Sequence, residues 1–158
     1  KAPARVGLNH PSIHPYGVYD TLGGSQILIS IQNEREFASL CADVLEQPDI
    51  PQDPRFATNQ ARVEHRAELD GIINGVFGAL DCDALIERLK AAAVAFGEVN
   101  DVAGLSRHPA LGRVTVGTPS GPADIPAPPA STDGAEPDLR PVPAVGEHTE
   151  KISKEFAA

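Results

Sequence analysis

The chain has no methionine, no tryptophan, two cysteines and only 4% aromatic residues among its 158 positions. Without Met, Lys1 is not a translation start, and the sequence is expected to be a piece of a larger protein. Cys41 and Cys82 match no metal-ligand spacing and are too few for a disulfide scaffold, which fits a reducing, cytoplasmic setting. Long apolar runs are missing as well, so nothing reads as a membrane span or a targeting segment. Basic charge is scarce: 13 Lys and Arg stand scattered against 22 Asp and Glu, a net charge of −9. A nucleic-acid surface needs clustered cations, so this pattern argues against nucleic acid as a partner. Phosphate-binding glycine patterns are absent too, and Gly23-Gly24 reads as a turn.

What the chain does hold is 15 prolines and 14 glycines, and they punctuate it. Pro3, Pro11 and Pro15 forbid a helix over residues 1–15, which read as loop. Residues 16–22 and 25–32 read as a hairpin about Gly23-Gly24, because glycine supplies the positive φ of a tight turn. Ile27, Ile29 and Ile31 alternate onto one face, the mark of a half-buried strand. Asn33 with Glu36 has the form of a capping box. Phe37, Leu40, Cys41, Val44 and Leu45 then make one apolar helical stripe, closed by Pro48.

Asp53-Pro54 opens a turn that carries Phe56. Asn59 is expected to cap a helix running to about residue 79, with Leu69, Ile73 and Phe77 among its inward residues. Gly71, Gly75 and Gly78 interrupt that helix at ~1 kcal/mol each against Ala, so tight packing of their face is expected. Asp81 or Asp83 caps another helix, with Leu85, Ile86 and Leu89 inward. Residues 94–99 suit a short strand, Asn100 caps a further helical turn through Leu105, and residues 113–116 suit a last strand.

Residues 117–148 differ in character: 32 positions hold eight prolines and almost no large apolar side chains. Such a composition cannot offset the entropy of ordering, so the stretch is expected to be disordered or to lie as an arm on another surface. Thr149 is expected to cap a short terminal helix presenting Ile152 and Phe156. A helix so short is marginal alone, so it is expected to dock. The order of elements gives an α+β fold, a small, mostly antiparallel sheet with helices, followed by the arm and the terminal helix.

Several residues invite chemical readings. His10 and His14 are four apart, but Pro11 and Pro15 remove the helix a metal pair would need. Cys41 falls on the apolar stripe and reads as core. Cys82 falls at a helix N-terminus, where a thiolate is favoured, but has no assigned His or Asn partner. Arg62, His65 and Arg66 cluster on one side of a helix, which suits an ion-paired face better than a phosphate contact. Asp20 and Glu98 read as exposed-loop carboxylates, and the sequence assigns neither an acid–base role.

Four stretches, taken in order, resemble the class III CoA-transferases, the superfamily of formyl-CoA transferase and α-methylacyl-CoA racemase. They are Gly7-Leu-Asn-His10-Pro-Ser-Ile-His-Pro-Tyr16 with the Gly23-Gly24 hairpin; Ile29-Ser-Ile-Gln-Asn-Glu-Arg-Glu-Phe37; Asp53-Pro-Arg-Phe56-Ala-Thr-Asn59-Gln-Ala-Arg62 with His65-Arg66; and Gly97-Glu-Val-Asn100 with His108-Pro109. Gly146-Glu-His-Thr149 is similar to the family's terminal stretch. The resemblance implies that residues 1–116 are the smaller α+β domain, 117–148 a return arm and 149–158 a terminal helix. It also implies a preceding Rossmann-like domain carrying a nucleophilic Asp, and an interlocked homodimer.

The implied activity moves CoA between an acyl-CoA and a carboxylic acid. CoA enters as part of the substrate, with no separate cofactor, no metal and no catalytic residue on this chain. A racemase-type isomerase and a non-catalytic interaction module are the alternatives. The loop formed by Gly7, Leu8, Asn9, His10, Pro11, Ser12, Ile13, His14 and Tyr16 matches the position of one that closes over the acyl group in the transferases. The glycine run of the formyl-CoA transferases is replaced here by polar residues. Asn9, His10 and Ser12 are therefore expected to suit a dicarboxylic acyl group such as succinyl, mesaconyl or itaconyl.

Overall fold

The computed structural model describes residues 5–130, 134 and 139–157. The first four residues of the leading loop, and 131–133 and 135–138 of the expected arm, lie outside the described residues. The chain divides into two compact units, Lys1–Val99 and Asn100–Ala158.

The first unit is built on a three-stranded antiparallel sheet in the order β1-β2-β3. Strands β1 (Tyr16–Asp20) and β2 (Gln26–Ser30) form the expected hairpin, in register from Tyr16↔Ser30 to Asp20↔Gln26. Gly23 and Gly24 sit at φ of 90° and 86°, where a side chain would be strained. Strand β3 (Phe96–Glu98) pairs with the other edge of β2, Ile27↔Glu98 to Ile29↔Phe96. Ile27, Ile29 and Ile31 are all buried, as their alternation requires.

Helices cover that apolar face. Helix α1 (Glu34–Ser39) is capped by Asn33, whose Oδ1 accepts the Glu36 N–H at 2.9 Å. The reciprocal half of the box is shifted by one residue: the Glu36 carboxylate takes the Gln32 N–H at 2.9 Å. After α1 the chain widens into a π turn, Leu40–Val44, closed by the Leu45 N–H on the Leu40 carbonyl at 2.9 Å. The helical stripe therefore ends through this turn and the left-handed Glu46 (φ 59°), before Pro48 is reached. Its five apolar residues are nonetheless all buried.

The helix expected over 59–79 is two helices, α2 (Asn59–Glu64) and α3 (Arg66–Phe77), broken at His65. Thr58, rather than Asn59, caps α2, its hydroxyl accepting the Ala61 N–H at 3.2 Å. Leu69, Ile73 and Phe77 point inward, and Tyr19 of β1 meets the Phe77 ring edge-on at 5.6 Å. Gly71 and Gly75 are exposed, with nothing within 4 Å of where a Cβ would stand. The close packing expected of that face is therefore absent from the described residues. Helix α4 (Cys82–Ala91) is capped by Asp81, whose carboxylate accepts the Ala84 N–H at 2.8 Å, and it buries Leu85, Ile86 and Leu89. Each large apolar side chain in this core contributes roughly 1.5–3 kcal/mol by leaving water.

The second unit is sparser. Helix α5 (Val102–Arg107) is capped by Asp101, not Asn100, with the Gly104 N–H on its carboxylate at 2.6 Å. Strands β4 (Arg113–Thr118) and β5 (Gly121–Pro126) form a second hairpin, so ordered structure extends into the proline-rich stretch. Strand β5 tolerates two prolines because of parity. The Ala127 N–H donates to the Gly112 carbonyl at 2.9 Å, so odd positions face β4 while Pro122 and Pro126 turn their missing N–H outward. Helix α6 (Thr149–Glu155) begins at Thr149, follows His148 without a side-chain cap, and leaves Ile152 and Phe156 exposed.

Candidate functional site

Residues 5–15 form an irregular loop against the N-terminal end of β1. Gly7 has a φ of 67°, which glycine alone adopts readily, and Leu8 beside it is 69% exposed. Asn9 crosses over the backbone of β1 so closely that a Cβ on Gly17 would lie 2.0 Å from its Oδ1. Glycine at position 17 is what lets the loop lie down on the strand. The His10 N–H then donates to the Tyr16 carbonyl at 2.9 Å, and the His10 ring stacks on the Tyr16 ring at 5.2 Å.

The His10 ring is also oriented from within the loop. Its Nδ1 accepts the Ser12 N–H at 3.2 Å. That places the neutral ring's proton on Nε2, for which the described residues supply no acceptor. His10 is half-buried, while Pro11 and Ser12 are exposed and Ile13 is half-buried.

His14 is the buried anchor of the loop, fully withdrawn from solvent and followed by a cis bond to Pro15. Its N–H donates to Asn59 Oδ1 at 3.1 Å, and its carbonyl accepts from Arg62 Nε at 2.8 Å. Arg66 Nη1 donates to its Nδ1 at 3.0 Å, so the ring proton is again on Nε2. That Nε2 has no hydrogen-bond partner. Asp70 Oδ1 is 3.4 Å away and already takes the Tyr19 hydroxyl at 2.8 Å. Burial, with the charges of Arg66 and Arg62, lowers the His14 pKa to about 3, so the ring is neutral. Burial likewise raises the Asp70 carboxyl above its usual range, and raises the Tyr19 phenol through burial and the Asp70 charge.

Four residues of α2 and α3 hold this loop: Asn59, Arg62, Arg66 and Asp70, at spacings of three, four and four. Asn59 clamps it at two points, adding Nδ2 on the Ser12 carbonyl at 2.8 Å. Arg62 is 2% exposed and fully committed. It binds the Glu34 carboxylate through both Nη atoms at 2.8 and 3.0 Å, donates to the Phe56 carbonyl at 3.0 Å, and lies over the Phe37 ring. Arg66 adds Nη2 on the His10 carbonyl at 2.8 Å. His65 turns instead to Glu68, at 2.8 Å. Of the expected cluster of Arg62, His65 and Arg66, the two arginines meet the loop and the histidine does not. The stripe with Asn59 and Asp70 was present in the sequence as a helical spacing of polar residues, but the loop it would hold was not apparent.

Neither cysteine is favoured as a thiolate. Burial pushes Cys41 up to about 12. Cys82 does begin a helix, but burial and the carboxylates of Glu98, Asp83 and Asp81 raise its pKa, so the thiolate expected there is disfavoured. Among the described residues, no group of three or more His, Cys, Asp and Glu side chains is placed to hold a metal ion. No helix among them is long and apolar enough to cross a membrane.

The sequence model of CoA-transferase family III matches residues 1–149, which takes in the loop and all four residues that hold it. The chain belongs to CoA-transferase family III. An acetyl-CoA:oxalate CoA-transferase of Acetobacter aceti is 29% identical over 160 residues, covering 100% of this chain and 41% of that protein. A succinyl-CoA–D-citramalate CoA-transferase of Chloroflexus aurantiacus is 44% identical over 69 residues, 44% of this chain and 17% of that protein. A CaiB/BaiF family protein of Brucella suis superposes with a TM-score of 0.76 at 29% identity, over 98% of this chain and 41% of the other. The chain thus spans about two fifths of the Acetobacter and Brucella proteins. Within family III, the α+β arrangement described above is the part that these residues build.

Proposed function

We propose that this chain forms one wall of the acyl-CoA site of a CoA-transferase, with the Asn9–Tyr16 loop facing a dicarboxylic acyl group. The observation that carries the reading is His10: its ring is fixed by Tyr16 and Ser12 while Nε2–H is left without an acceptor. A fixed donor at a substrate wall fits a carboxylate, because a hydrogen bond to a charged group contributes about 1.5–3 kcal/mol. The relatives point the same way. Oxalate and citramalate, named in two of them, each carry two carboxyl groups, and the succinyl group of one keeps a free carboxylate, while the acetyl group of the other has none.

In this proposal the reacting groups lie outside the chain. An Asp of a preceding Rossmann-like domain attacks the thioester carbonyl and expels the CoA thiolate, leaving a mixed anhydride; dividing the transfer in this way lowers each barrier. The present residues bind and orient the acyl end. The stretch 117–148 would be the connection returning to that domain, the exposed Ile152 and Phe156 would dock there, and the whole would act as an interlocked dimer in the cytoplasm.

The test replaces His10 with Ala in the protein that joins this chain to the rest of the family architecture. Loss of the donor should raise KM for a dicarboxylic acyl-CoA or acid about tenfold or more. Unchanged kinetics would remove His10 from the site.

A further inference from the structure

Arg55, Arg62 and Arg66 are employed differently. Arg55 is paired with Asp53 and Glu68, and Arg62 with Glu34. Arg66 has no carboxylate within ion-pair distance among the described residues. Its two Nη atoms go instead to the loop, one to the His10 carbonyl at 2.8 Å and one to His14 Nδ1 at 3.0 Å. It therefore ties the buried anchor of the loop to the residue that presents the outward donor. Asp70, one turn further along α3, faces the same histidine at 3.4 Å and is itself held by Tyr19.

We infer that Arg66 is a positioning residue that sets acid specificity: by gripping His10 and His14 together, it fixes where the His10 Nε2–H points. The inference rests on the reading of the loop as the acyl wall. Two bonds from one rigid planar fork fix a geometry that separate flexible donors would not. The consequence is selective. An acid with a second carboxylate to place against His10 depends on that geometry, whereas one ending in a methyl group does not use it.

The experiment compares wild type, Arg66→Gln, Arg66→Lys and His10→Ala in the complete enzyme. Each is assayed with a dicarboxylic acid and with a monocarboxylic acid of equal chain length. Arg66→Gln keeps a donor but only one short arm. It should raise KM for the dicarboxylate at least fivefold more than for the monocarboxylate. Arg66→Lys, which restores charge and reach but not the fork, should recover part of the discrimination. Equal changes for both acids, or none, would overturn the inference, since a residue acting only on folding has no reason to separate them. Urea midpoints measured alongside report folding directly. If Arg66→Gln does not fold, the Arg66→Lys comparison decides by the same criterion. The two levels separate cleanly: His10→Ala without effect sinks the wall reading itself, while His10→Ala raising the dicarboxylate KM with both Arg66 variants silent sinks only the role of Arg66.

Discussion

Protonating His14 should destabilise the first unit. The ring is fully buried between Arg62, Arg66, Asp70 and Tyr19, and its pKa falls from 6.5 to about 3. A histidine with a depressed folded pKa is neutral in the native state while the unfolded chain takes up a proton. Stability is therefore lost as pH falls below 6.5, at up to ~1.4 kcal/mol per pH unit. Between pH 7 and pH 5 this amounts to about 2 kcal/mol, a figure insensitive to the folded value as long as it lies below about 4. The neighbouring carboxylates act lower. Glu34 is held down by its hydrogen bonds to Arg62, and Asp53 and Glu68 by hydrogen bonds to Arg55 and His65, so their contributions are lost only below the ordinary carboxylate range. Asp70 has the opposite sign: its raised pKa means that falling pH favours the folded form through this group. Between pH 7 and 5 the destabilising change among the groups with shifted pKa values therefore comes from His14, and any contribution of Asp70 opposes it. Urea unfolding of wild type and His14→Gln at pH 7, 6 and 5 measures the slope. Gln offers Arg66 an acceptor but cannot take the proton, so its curve should be flatter by about 2 kcal/mol over the interval, whatever its absolute stability. Parallel curves would refute the reasoning.

Three further outcomes follow from the geometry. Arg62→Ala should cost about 2–4 kcal/mol in urea unfolding, because it leaves the His14 and Phe56 carbonyls without a donor; Glu34→Gln, at the more exposed end of the pair, should cost about 1 kcal/mol or less. Gly75→Ala should stabilise the isolated chain by about 0.4–1 kcal/mol in urea unfolding, since the site is exposed, helical and empty around the missing Cβ; a loss would contradict those empty surroundings. Thiol labelling at pH 7 should reach Cys82 before Cys41, and both more slowly than an unhindered cysteine, because burial raises both thiols; rapid alkylation of Cys82 would contradict its acidic surroundings.

Much of the first unit was legible. The turn glycines, the alternating isoleucines and the apolar stripe from Phe37 to Leu45 each report a local rule, and a local rule needs no knowledge of distant chain. Caps were legible only to within a residue. Thr58, Asp81 and Asp101 compete with Asn59, Asp83 and Asn100, and the choice falls to whichever side chain is not required elsewhere. Asn59 is spent on the loop, which leaves the cap to Thr58. The last strand expected over 113–116 is β4, but its partner β5 was hidden because composition counts prolines without asking which way their missing N–H groups face.

By itself, the sequence determined where the chain turns, which face of β2 is apolar, and that residues 7–16 form a polar loop. Only the tertiary structure decided what that loop does. His14 is its buried anchor and His10 its outward donor because Asn59, Arg62, Arg66 and Asp70 approach from more than forty residues away. Hydrogen bonds across such separations depend on how two elements pack against a shared core, and no local periodicity records that packing.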